Sequence, residues 1–203
     1  MIKNSSIFIF FVKGTIIFIV LIMLGFFFKL NKNYCTVFRT FENHIFSNYN
    51  KNIKVSFTKV DFDLYDTQII VRYENNKEWI NVKYLFSTWY ISYLPTIFLI
   101  ALILSTKFKT IKNKLFALII GFFLLNLMIQ FSLVLTINIL EQTARKELGD
   151  FIETFKTKIL SFLYIVLIKS EWNYYLHPLL AWIIVSFSNY TMFSEIIKSS
   201  KAI

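Results

Sequence analysis

Residues 93–121 read YLPTIFLIALILSTKFKTIKNKLFALIIG: an apolar run, then Lys107, Lys109, Lys112 and Lys114 with no acid among them, then a second apolar run. Stretches of about twenty apolar residues constrain a chain more than any other pattern, because only a helix satisfies its own backbone donors and acceptors in lipid. Runs of this kind occur at 6–28, 84–106, 115–140 and 174–193, in a chain that is 56% apolar. The expected fold class is a membrane protein, mainly α, with about four transmembrane helices and a small α+β extracytoplasmic domain between the first and second.

The lysines set the orientation. The excess of Lys and Arg on the cytoplasmic side is read over short loops, and the loop carrying Lys107, Lys109, Lys112 and Lys114 is the shortest and most basic. It therefore serves as the topology signal and faces the cytoplasm. The first span then starts inside, in accord with Lys3 and Lys13, and the tail with Lys198 and Lys201 returns inside. The division that follows is an N-terminal anchor (1–28), the outer α+β domain (29–84), a transmembrane hairpin with a basic cytoplasmic loop (85–140), an amphipathic extracytoplasmic segment (141–173), and a last span with a cytoplasmic tail (174–203). The first span reads as an uncleaved anchor, since FFFKLNKNYC lacks a small-x-small cleavage site. This topology predicts an integral protein of a bacterial inner (plasma) membrane with both termini cytoplasmic. The net charge of +10 sits beside spans rather than on an aromatic-interleaved face, so nucleic acid is not expected as a partner.

Within 29–84, Val37, Phe38, Phe41, Ile45 and Phe46 suit an amphipathic helix. Ile53, Val55 and Phe57, and again Ile69, Val71 and Tyr73, alternate with polar residues as half-buried strands do. The ENNK stretch, 74–77, offers two asparagines for a tight hairpin turn. So few residues make a small core, and the domain is expected to lean on the membrane, on its own spans or on a partner. From Leu140 through Ala144, Leu148, Phe151, Phe155 and Ile159 to Val166, apolar residues recur at helical spacing. They predict one amphipathic helix on the membrane surface or against the small domain. Its end, 159–168, is too short to span and could instead re-enter the membrane as a hairpin with 174–193.

Candidate chemistry is sparse. Cys35 and His44 lie nine residues apart, expected on one side of a helix but about 13 Å apart along its axis, too far for a thiolate–imidazole contact. An incidental thiol and a surface imidazole is the simpler reading. His177, before Pro178, is either a proton relay or an ordinary interfacial histidine. Asp61, Asp63 and Asp66 resemble an acidic metal cluster but lack the glycine and closing glutamate of a calcium loop. They fit better as the solvent face of a strand, with Phe62 and Leu64 inward. Asn126 and Gln130, one turn apart in the third span, either face a partner or hydrogen-bond between helices of the chain itself. A single cysteine allows no intramolecular disulfide. With no phosphate loop, no Ser/His/Asp pattern and no metal-helix motif, no enzyme, no cofactor and no metal are expected.

The order of segments, the YLPTIFLIALILST span with its lysines, and the LHPLLAW opening of the last span (176–182) resemble the small membrane proteins encoded beside exosortases. That resemblance implies an accessory role in protein sorting or polysaccharide export, with a larger membrane protein as partner alongside the lipid bilayer. It carries no catalytic residues across. An exosortase itself uses a Cys, an Arg and a His near the outer membrane face, and Cys35 and His44 in the small domain have no intramembrane arginine to join. An alternative is a supernumerary subunit of an energy-transducing or transport complex, which would also lack catalytic residues.

Overall fold

The computed structural model describes residues 4–62, 64–74, 78–168 and 173–187. The protein is mostly helical with one three-stranded sheet. In order it contains α1 (Asn4–Phe27), α2 (Leu30–Phe46), β1 (Ile53–Phe62), β2 (Tyr65–Glu74), β3 (Trp79–Phe86), a π-helical turn (Trp89–Tyr93) running into α3 (Leu94–Ser105), α4 (Ile111–Glu147), α5 (Phe155–Leu167) and α6 (Asn173–Phe187). Two helices, Phe8–Phe27 and Ile111–Glu147, are long and apolar enough to cross a membrane, while Trp89–Ser105 and Tyr174–Ser186 are shorter apolar helices. The tail lysines and residues 188–193 of the expected last span lie outside the described residues.

The chain divides into two compact units. The first holds α1, α3, α4 up to Met128, and α6. Within it α3 is the central element: Leu99, Ala101 and Ile103 are at most 1% exposed. Small residues let neighbouring helices approach α3 closely, a common device where helices pack in lipid. A Cβ on Gly121 would stand 3.0 Å from Ile103 Cδ1, and one on Gly14 would stand 3.4 Å from Ser105 Oγ. Trp182 Nε1 of α6 donates to Thr106 Oγ1 at 2.8 Å, and its ring stacks on Phe10. By contrast α1 exposes Phe8, Phe11, Met23 and Phe27, a surface that water would penalise.

The second unit holds residues 31–93 and 129–173. Its sheet is antiparallel in the order β1-β2-β3. The register sets Ile53 against Tyr73, Val55 against Val71 and Phe57 against Ile69, so all six alternating apolar residues share one face. Each is at most 7% exposed. Phe38 and Phe46 of α2 pack on this face through Phe86 and Phe57. From the C-terminal half of α4, Arg145 lies over the Tyr73 ring and pairs with Glu141.

Three expectations are corrected. Phe62 and Leu64 are not inward: they are 55% and 71% exposed, at the end of the hairpin where β1 slips register between Lys59 and Phe62. The expected single helix from Leu140 to Val166 is two. Helix α4 ends in a Schellman arrangement, with Asp150 N donating to Arg145 O and Gly149 N to Lys146 O around Gly149 at φ +74°. Helix α5 then restarts under a capping box between Thr154 and Thr157. Leu140 and Ala144 are consequently buried, whereas Phe155, Phe162 and Val166 are exposed. Residues 84–86 belong to β3 and not to the second apolar helix. The ENNK turn falls on 75–77, which lie outside the described residues.

The α4 stop is a local test of this backbone. A Cβ on Gly149 would meet nothing within 4 Å, so Gly149→Ala changes only the left-handed backbone cost. It is expected to lower stability by about 1 kcal/mol, read as a small drop in thermal midpoint in detergent. Lys29, at φ 52° between α1 and α2, carries the same cost in the native chain.

Candidate functional site

Several polar side chains of the second unit gather in two groups, one part-buried around Asp66 and one buried around Glu42, both built on α2. The first surrounds Asp66 at the start of β2. Its two carboxylate oxygens accept from Thr88 N at 3.1 and 3.0 Å, at the N-terminal end of the π-helical turn. Thr67 Oγ1 donates to Asp66 Oδ1 at 2.6 Å, and Ser87 Oγ lies 3.4 Å from Oδ2. Arg39 of α2 donates to Asp66 O and to Thr67 Oγ1, and the Thr67 and Thr88 hydroxyls meet at 2.8 Å. An acid at the first free N–H groups of a helix completes its hydrogen bonding and opposes its dipole. Asp66 thus ties β2 to the point where β3 turns into helix, while Arg39 ties α2 to the same point. Tyr34 adds a contact, its hydroxyl 2.6 Å from Ser92 Oγ and its ring edge-on to Tyr93.

Cys35 belongs to this group. It is 8% exposed, and burial, with the nearby Asp66 charge next, pushes its thiol up to about 11. A thiol held protonated is a poor nucleophile and a poor metal ligand. His44 is exposed on the other side of α2. Nine residues make two and a half turns, so the pair lies on opposite faces and not on one. Of the three aspartates considered for metal, Asp61 pairs with Lys59 at the surface at 2.8 Å, Asp66 is the cap, and Asp63 lies outside the described residues. Among the described residues no group of three or more His, Cys, Asp and Glu could hold a metal ion.

The second group has no signal in the local sequence. Glu42 of α2 is 1% exposed between Phe38 and Phe46 on the buried face. Its Oε1 accepts from Gln130 Nε2 of α4 at 2.6 Å, and its Oε2 is buried without a hydrogen bond. Burial lifts the carboxyl to about 7, against the pull of the Gln130 bond. Two turns further along α4, Asn138 donates to the Tyr49 hydroxyl at 2.9 Å. The two side chains considered as partner-facing therefore differ in their engagement. Gln130 is turned to Glu42, and Asn126 donates to Phe122 O of its own helix at 2.8 Å.

Of the topology lysines, Lys107, Lys109 and Lys112 are exposed, while Lys114 reaches back to the Leu104 carbonyl near the end of α3 at 3.2 Å. Thr110 Oγ1 accepts from Asn113 N and caps the start of α4. His177 sits half-buried in the first turns of α6 beside the buried Pro178. No family model, curated protein or solved structure matches this chain.

Proposed function

We propose that this chain is a non-enzymatic, membrane-integrated accessory protein that holds its small α+β domain at the outer membrane face and docks on a larger membrane enzyme of the sorting or export kind. The observation that carries the reading is the commitment of Asp66, Arg39 and Cys35 to the domain's own architecture. Asp66 caps a helix, Arg39 braces it, and Cys35 is kept as a buried neutral thiol. Such a domain supplies shape and surface rather than a reacting group.

Four spans and an inside orientation for both termini belong to this proposal. Its support is the exposed apolar surface of α1 and the basic loop between α3 and α4. Helix α4, with 37 residues, is about 55 Å long against about 30 Å of hydrocarbon, so one end stands in the aqueous phase. Its last turns carry Asn138, Glu141 and Arg145, which bond within the unit that contains the sheet. Within the described residues, α3 with its π-helical turn and α6 are shorter apolar helices than α1 and α4, and short spans are accommodated by local thinning or by association with neighbours. The exosortase connection rests on the resemblance of segment order and of the two apolar motifs.

The test is a mild-detergent pull-down of a C-terminally tagged chain read by mass spectrometry. A sorting or export enzyme in stoichiometric amount is the expected result, and Asn126→Leu is expected to reduce its recovery. Recovery of respiratory or transport subunits would favour the supernumerary-subunit reading. A bare protein under all mild conditions would overturn the accessory role.

A further inference from the structure

We propose that Glu42 is a proton-operated clasp between α2 and the C-terminal half of α4: neutral, it seats one helix on the other through Gln130, and ionised, it loosens that seat. Glu42 lies on the α2 face that also carries Cys35, Phe38 and Phe46, all buried. Its one hydrogen bond among the described residues joins two elements far apart in sequence, Glu42 Oε1 to Gln130 Nε2 at 2.6 Å. The other oxygen is enclosed and unbonded. A carboxylate in that position would have a single neutral donor for a full charge, a state that burial strongly disfavours.

Among the described residues no cation compensates it. On α2, Arg39 is bonded to Asp66 O and Thr67, and His44 is exposed. On β1, Lys54 is exposed and Lys59 pairs with Asp61. On β2, Arg72 stacks over Trp79 and Asp66 is bonded to Thr88. On β3, Lys83 is exposed, and on α4 Glu141 and Arg145 pair with each other. Desolvation and the Gln130 bond are the influences on the carboxyl, and together they leave it titrating at about 7. The clasp thus changes state across neutrality, where an unperturbed glutamate is already ionised.

The chain contains its own reporter. Cys35 is the single cysteine, 8% exposed on the clasp face of α2. The full chain in mild detergent is reacted with dithiodipyridine at about pH 4 and about pH 8.5, and wild type is compared with Glu42→Gln at each pH, so that thiol ionisation cancels. Equal rates are expected at the lower pH. At the higher pH wild type is expected to react at least about tenfold faster, since the charge must be relieved by opening. Equal rates at both pH values would overturn the proposal. Amide exchange in α3 is expected to be the same in both proteins; a parallel increase there would signify general loosening and would also overturn it. If Glu42→Gln yields no folded protein, Gln130→Ala serves instead. It removes the bond that favours the ionised form, so its excess labelling over wild type is expected to grow from about pH 4 to about pH 8.5. A uniform excess at both would overturn the clasp.

Discussion

Asp66→Ala is expected to destabilise the second unit by roughly 2–4 kcal/mol, and to do so at a junction rather than in the apolar core. The substitution removes both acceptors of the Thr88 N–H and one of the partners of the Thr67 hydroxyl, which keeps the Thr88 hydroxyl beside it. Thr88 is fully buried, so its orphaned N–H gains no water in exchange. Asp66→Asn is the informative companion. It keeps an acceptor for Thr88 N but loses the charge opposite the helix N-terminus, and should cost about half as much. Thermal unfolding in detergent measures both, and limited proteolysis near 87–93 reports whether the loss begins there. Equal stability of Asp66→Ala and wild type would show that the cap contributes nothing.

The consequence for function lies in connectivity. Asp66 and Arg39 fix β2 and α2 to the residues that follow β3, so the exit of the small domain is held by charge-assisted hydrogen bonds as well as by the chain. A domain of one three-stranded sheet and one helix has only a small core by itself. Here it gains Leu133, Ile137, Leu140 and Ala144 of α4 as further buried surface within its own unit.

The sheet is the most legible part of this fold. Two-residue periodicity marks Ile53, Val55, Phe57, Ile69, Val71 and Tyr73, and all six are buried on one face. Helix α2 is legible as a helix but not in its facing. Phe38 and Phe46 are buried, yet Val37, Phe41 and Ile45 are exposed at 66%, 52% and 43%, and Glu42 takes the inward position between two phenylalanines. A helix with apolar residues around more than one face has no single best orientation in its sequence, and the choice is made by what the sheet and α4 present. Gly149 signals the end of α4, but the periodic apolar pattern continues across it and hides the stop. By spacing Asp66 groups with Asp61 and Asp63, whereas its partner Thr88 is 22 residues away, beyond any local rule. Likewise the Glu42–Gln130 contact joins residues 88 apart, and neither residue is unusual in its own segment.

Glu42 should also shape the pH dependence of global stability, in the sense opposite to most acids. Its carboxyl titrates at about 7 in the folded chain against 4.5 for an ordinary glutamate. Between those values the folded state binds the proton more firmly than the unfolded state. Stability therefore falls as pH rises through this window and levels off above the folded value. A difference of this size corresponds to roughly 3 kcal/mol, or about 5–10 °C in thermal midpoint for a chain of this length. Glu42→Gln keeps the shape and the hydrogen bond to Gln130 while removing the ionisation. It is expected to match wild type within about 1 kcal/mol near pH 5 and to exceed it near pH 8.5, flattening the profile. The measurement is a series of melts of both proteins in one detergent from acid to alkaline pH. Parallel profiles would mean that Glu42 is already ionised in the folded state, and that its second oxygen reaches water or a donor. Diverging profiles, with the variant gaining as pH rises from about 4.5 to about 7 and the gap constant above that, would place the proton on Glu42 in the native chain at a pH where most acids have lost theirs.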